Sequence, residues 1–175
     1  MKTFPQIIID GEVIGGYSEY KKLVQPTFDF EKLSKIVKVV TRNLNKIIDK
    51  NFYPIIETKL SNLKHRPIGI GVQGLIDVFY KLKISFDSDE AKLLNKEIFE
   101  TMYYGAMLAS YKQALENGAY ETFKGSPLSE GLFQFDLWDT KPSDRYDWDD
   151  LRKKIIESGV RNSLCLALMP TASTS

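Results

Sequence analysis

The sequence predicts a helix-rich α/β chain with a parallel sheet element, and three observations carry that prediction. Apolar residues recur at helical spacing through two long stretches, near residues 30–50 and 90–118. Two short apolar runs, Ile68–Val72 and Leu164–Met169, lie far apart with helical text between them. The resulting order of helix, strand, helix, helix, strand is the one that parallel α/β folds use.

From the N-terminus, Gln6–Asp10 is a β-branched run, Gly11 a turn, and Glu12–Ile14 a second short strand ending at Gly15-Gly16, which together read as a β-hairpin. Ser18 is placed to cap a short helix through Val24, which Pro26 stops. Asp29 caps the next helix, whose stripe is Leu33, Ile36, Val37, Val40, Leu44, Ile47 and Ile48, with Lys32, Lys35, Lys38, Arg42 and Lys46 elsewhere. Residues 52–66 read as a loop, with Pro54 inside and Pro67 after it. Ile68–Val72, interleaved with Gly69 and Gly71, suits a buried strand, and Gly74–Leu82 a short helix. Asp87 with Glu90 opens the longest helix, running to Gly118 on a stripe of Ala91, Leu94, Ile98, Met102, Ala106 and Ala109 that narrows toward small residues. Residues 119–146 are irregular and aromatic-rich, and Asp136–Asp150 reads as a surface loop leading into a helix capped by Asp147 and ended by Gly159. Leu164–Met169 is the second candidate buried strand, and Pro170 opens a loop of small residues.

Composition bounds the partners. The chain has 175 residues, 43% hydrophobic and 27% charged, with 24 Lys plus Arg against 23 Asp plus Glu, so no net field draws nucleic acid or a membrane surface. No apolar run approaches the roughly 20 residues that span a bilayer. One Cys and one His exclude a disulfide framework and a structural zinc site, and fit a reducing, cytoplasmic setting.

Ligands of parallel α/β folds bind beyond the C-terminal ends of strands. That rule selects the turn after Val72 and the segment PTASTS after Met169. Three other features take bland readings. His65 has no paired carboxylate motif and reads as structural. Gly69, Gly71 and Gly74 spell G-x-G-x-x-G, but the motif begins inside the strand, so close backbone packing explains it better than a dinucleotide. Cys165 sits in an apolar run, where a buried, inert thiol is the default.

Two resemblances add to this reading. TFPQIIIDGEVIGGYSE, within residues 1–25, resembles the C-terminal half of a glutaredoxin, whose thioredoxin-like fold supplies a hairpin and then a short helix. The resemblance implies that Pro5 is the cis-proline and that the backbone of Phe4 pairs with an extended thiol peptide. It also implies that Gly16, Tyr17, Ser18 and Glu19 contact glutathione, Ser18 taking the γ-glutamyl carboxylate at a helix N-terminus and Glu19 standing where the family often has Asp. The thiol motif of that fold is absent, because no cysteine precedes Cys165.

Residues 26–175 resemble an internal stretch of the large, catalytic subunit of class I ribonucleotide reductase. The matching phrases are RNLNKIID (42–49), HRPIGIGVQGL (65–75), EAKLLNKEIFETMYYGA (90–106), GAYETFKGSPLSEG (118–131), RNSL (161–164) and MPTAST (169–174). The resemblance implies a partial ten-stranded α/β barrel. It implies that Thr171, Ala172, Ser173 and Thr174 hold the diphosphate of a ribonucleoside diphosphate substrate. It also implies an oxidoreductase of deoxyribonucleotide biosynthesis for DNA replication. The expected partners are the remainder of the large subunit and a radical-generating small subunit. No catalytic residue, metal or bound cofactor is expected in this chain; glutathione or a dithiol reductant and the partner subunit's radical cofactor are implied by the family. The alternative expectation is a catalytically inactive split-gene or decayed fragment acting only as a structural partner.

Overall fold

The computed structural model describes residues 7–16 and 27–170, which fall into two compact units: residues 1–28 with 74–91, and residues 29–73 with 92–175.

In the smaller unit, β1 (Ile7–Ile9) and β2 (Glu12–Gly15) form the expected antiparallel hairpin. Asp10 and Gly11 both take positive φ (51° and 85°), the geometry of a two-residue primed turn whose twist suits paired strands. The register shifts between Ile7 and Ile8, so the hairpin carries a bulge near its open end. The helix expected after Ser18 lies outside the described residues. In the same unit α3 (Leu75–Leu82) begins at Gly74 and ends at Lys83 in left-handed backbone, with Phe79 buried edge-on against Phe86.

The larger unit is built on α1 (Phe30–Lys50) and α4 (Asp89–Asn117). Asp29 caps α1 by accepting from the Lys32 N–H at 2.8 Å, as its position predicts. The buried face of α1 differs from the apolar stripe. It consists of Ser34, Val37, Thr41, Asn45 and Ile48, while Ile36 and Ile47 are exposed. Helical geometry puts residues 34, 37, 41, 45 and 48 on one line, and three of those five are polar. The α4 stripe behaves as expected: Ala91, Leu94, Ile98, Met102, Ala106 and Ala109 are all buried. Its cap is one residue later than Asp87, since the Ser88 Oγ accepts from the Ala91 N–H at 3.1 Å. Small residues let α1 approach α4: a Cβ on Gly105 would lie 3.4 Å from the Ser34 carbonyl oxygen.

Residues 52–66 are not a loop throughout, because α2 spans Ile56–His65. No residue of α2 is buried, so it lacks the apolar face that periodicity detects. The irregular region contains a 3-10 turn (Pro127–Glu130) and a short α5 (Gln134–Leu137). Phe133 and Phe135 of this region join Tyr103 and Tyr104 of α4 around Trp148, at 4.8–5.6 Å between ring centres. The expected surface loop is therefore anchored: Arg152 on α6 (Trp148–Ser158) pairs with Asp136 at 2.8 Å and donates to the Gly131 carbonyl. Asp147 and Gly159 bound α6 as predicted.

The two apolar runs do pair in parallel, but as a single bridge, Ile70 with Leu166, rather than as regular strands. Three bonds hold them: Ile68 N–H to Leu164 O and Ile70 N–H to Cys165 O at 3.0 Å, and Ala167 N–H to Ile70 O at 3.2 Å. Ile68, Ile70 and Cys165 are buried, whereas Leu164, Leu168 and Met169 are exposed. A longer ladder needs neighbours on the outer edges of both runs, and among the described residues each run pairs only with the other.

Candidate functional site

Just before the parallel pair begins, a buried polar junction gathers residues from four elements. Arg66, at the C-terminal cap of α2, holds left-handed backbone (φ 46°) and is 2% exposed. Its guanidinium donates to both Asp49 carboxylate oxygens at 2.7 and 3.1 Å, and to Asn45 Oδ1 at 3.2 and 3.3 Å. It also donates to the Asn45 carbonyl at 3.2 Å. Asn45 and Asn162 exchange side-chain amide bonds at 2.8 and 3.0 Å, and Asn162 Nδ2 donates a further bond to the Arg66 carbonyl at 2.9 Å. Ser110 on α4 closes the set, its hydroxyl donating to Asn162 Oδ1 and accepting from the Asn162 N–H, both at 2.9 Å.

A charged group this deep is tolerated because the guanidinium is both paired and hydrogen-bonded. The Arg66 hydrogen bond holds the Asp49 carboxyl below the usual carboxylate range, against a smaller opposing effect of burial. Arg161 donates to the Asn117 and Gly118 carbonyls at the C-terminus of α4. Burial, and after it the nearby Arg66 charge, push its guanidinium down. Beside the junction lies a polar hollow of about 230 Å³ that includes Arg42, Lys46 and Gln113 in its wall. None of the core residues of this junction was singled out by periodicity. The available signal was the polar line of Ser34, Thr41 and Asn45 on the inner face of α1.

Beyond the junction the two runs come unusually close. A Cβ on Gly69 would stand 3.0 Å from the Ala167 Cβ, and one on Gly71 would stand 2.5 Å from the Met169 Cε and 2.7 Å from the Ala167 carbonyl oxygen. These glycines serve close backbone approach, as the sequence indicated. Gln73 Nε2 reaches Met169 Sδ at 3.5 Å, joining the C-terminal ends of both runs.

His65 takes a structural role: its Nδ1 shares a 2.8 Å hydrogen bond with Thr122 Oγ1, and its carbonyl accepts from the Ser163 N–H. Cys165 is buried, and desolvation pushes its thiol up to about 12. Gly16 comes directly after β2. Phe4, Pro5, Tyr17, Ser18, Glu19, Thr171, Ala172, Ser173 and Thr174 lie outside the described residues. Among the described residues no group of three or more His, Cys, Asp or Glu is placed to hold a metal, and no helix is long and apolar enough to cross a membrane. A larger open hollow of about 780 Å³ is lined by Phe135, Asp136, residues 139–149 and Arg152, and by no residue of the parallel pair.

The chain is similar in sequence to several known proteins. The large subunit of ribonucleoside-diphosphate reductase from Arabidopsis thaliana is 60% identical over 148 residues, covering 85% of this chain and 18% of that protein. That of Caenorhabditis elegans is 57% identical over 148 residues (85% and 19%). That of Plasmodium falciparum is 54% identical over 158 residues (90% and 20%). The chain thus spans about a fifth of the length of the curated relatives it matches. The family profile described as "Ribonucleotide reductase, barrel domain" matches residues 13–175. Over nearly its whole length, this chain belongs to the ribonucleotide reductase barrel-domain family.

Proposed function

We propose that this chain is the part of a class I ribonucleoside-diphosphate reductase large subunit that builds barrel wall and presents the substrate diphosphate loop. The observation that carries the reading is the parallel pairing of Ile70 with Leu166. In parallel α/β folds the loops after the C-terminal ends of paired strands bind ligand, and Thr171, Ala172, Ser173 and Thr174 come directly after Met169-Pro170. Their hydroxyls and backbone N–H groups are donors suited to the oxygens of a diphosphate. The chain's share of the reaction is therefore to hold and orient the nucleotide.

Reduction of the ribose needs a reactive thiol, and Cys165 is the chain's single cysteine, with its thiol buried and pushed up to about 12. The oxidoreductase chemistry accordingly requires the rest of the large subunit and a radical-generating small subunit, with a dithiol or glutathione restoring the enzyme. The reading includes two domains, 1–25 and 26–175, the first a glutaredoxin-like fragment with Phe4, Pro5, Gly16, Tyr17, Ser18 and Glu19 as its glutathione edge. The relatives' matches of 148 residues fit within such a block, whereas the match of 158 residues and the family profile, which starts at Val13, extend into the first domain. Tethering such a domain raises the local concentration of reductant. The setting is a cytoplasm.

The test is steady-state reduction of a ribonucleoside diphosphate. Thr171→Ala with Ser173→Ala in the assembled holoenzyme raises KM for the diphosphate. The isolated chain with small subunit and dithiol gives no turnover. Turnover by the chain alone, or an unchanged KM in the loop variant, overturns the reading.

A further inference from the structure

We propose that Asn45, Arg66, Ser110 and Asn162 are positioning residues: they lock the register of the Leu164–Met169 run against Ile68–Val72, and so set where the diphosphate loop leaves the pair. The functional half of this inference rests on the diphosphate-loop reading above.

The junction grips main chain on both sides. Arg66 stands two residues before Ile68 and Asn162 two before Leu164. Asn162 Nδ2 holds the Arg66 carbonyl, Ser110 Oγ holds the Asn162 N–H, and the His65 carbonyl holds the Ser163 N–H at 3.2 Å. All four positioning residues are at most 3% exposed, so water does not compete for these bonds.

The two runs beyond the junction are poorly specified by themselves. Leu164-Cys165-Leu166-Ala167-Leu168-Met169 is apolar throughout, so hydropathy does not oppose a slip as it would in an alternating strand. Only three backbone bonds and one bridge join the runs. A one-residue slip moves Pro170, where the run ends, by about 3.3 Å and reverses every side chain of the run; a two-residue slip preserves facing and moves it about twice as far. A buried polar set with a single geometry is the kind of device that specifies register where apolar contacts do not.

The experiment compares variants in the holoenzyme and in this chain. Ser110→Ala removes one clamp with little change in volume; Ile155→Val, in the fully buried face of α6, is a destabilised control away from the junction. In the chain, Ser110→Ala accelerates hydrogen exchange at the Ile70 and Ala167 amides relative to the rest of the larger unit, and Ile155→Val does not. In the holoenzyme, Ser110→Ala raises KM for the nucleoside diphosphate about tenfold while kcat changes less than about twofold. Equal exchange at those amides in both variants overturns the register lock. Locally faster exchange with unchanged KM, while Thr171→Ala raises KM, overturns the positioning role. If Thr171→Ala leaves KM unchanged, it is the diphosphate-loop reading that fails, and the exchange result alone decides the register lock.

Discussion

Asn162→Ala tests the buried junction most directly. The Asn162 side chain makes bonds to Asn45 at 2.8 and 3.0 Å, to the Arg66 carbonyl at 2.9 Å and with Ser110 at 2.9 Å. Truncation does not cost all of them equally. Asn45 Nδ2 keeps the Thr41 carbonyl, Asn45 Oδ1 keeps Arg66, and Ser110 Oγ keeps the Asn162 N–H. The Arg66 carbonyl is the group left without the partner it has here. An orphaned buried acceptor costs about 1–3 kcal/mol, and the other lost bonds add about 0.5 kcal/mol each at the low end of their net worth. The sum is about 2.5–4.5 kcal/mol, a large share of the roughly 5–15 kcal/mol typical of a domain. Urea unfolding monitored by circular dichroism, with a slope of about 2 kcal/mol per M, then shows a midpoint lower by about 1–2 M. A double-mutant cycle with Asn45→Ala returns a coupling of about 1–3 kcal/mol. A loss below about 1 kcal/mol, or additive single effects, refutes the claim that these amides act as one buried unit.

The same geometry predicts three further outcomes. Gly71→Ala forces a methyl against the Ala167 carbonyl at 2.7 Å, which is backbone and yields poorly, so thermal unfolding registers a loss of about 1–3 kcal/mol; an unchanged midpoint means the runs are not this close. Asp49 has a depressed carboxyl, so its contribution is present above the ordinary value of 3.8 and is lost as pH falls through the folded value. Because the Asp49 side chain is 51% exposed, Asp49→Asn costs only about 1 kcal/mol at neutral pH, and urea midpoints of variant and parent converge below pH 3.8. A gap that persists in acid assigns the loss to something other than the carboxylate. Cys165, pushed up to about 12, reacts with a chromogenic disulfide at mildly alkaline pH only after denaturant is added; equal rates folded and unfolded contradict its burial.

The features legible in the sequence share one physical property: their causes lie within a few residues. The Asp29 and Asp147 caps each meet an N–H three residues on, at 2.8 and 2.9 Å. The Asp10-Gly11 turn needs only two positive φ angles, and the α4 stripe is local periodicity. The spacing of Gly69 and Gly71 showed that something must come close, though not what. Helix α2 escaped because an element with no buried residue leaves no hydrophobic period to read. Composition marks the two apolar runs as buried strands, but it reports apolar character and not whether neighbours exist to complete a ladder.

By itself, then, the sequence determined where most helices begin and end, the hairpin turn, the need for close approach at Gly69 and Gly71, and the family. Only the tertiary structure decided that Asn45, Arg66, Ser110 and Asn162 are one buried unit, because its bonds join residues 21 to 117 positions apart. No local spacing encodes such a junction. It exists because α1, α2, α4 and the residues before Leu164 bring unrelated polar groups into one buried space, where each must find another.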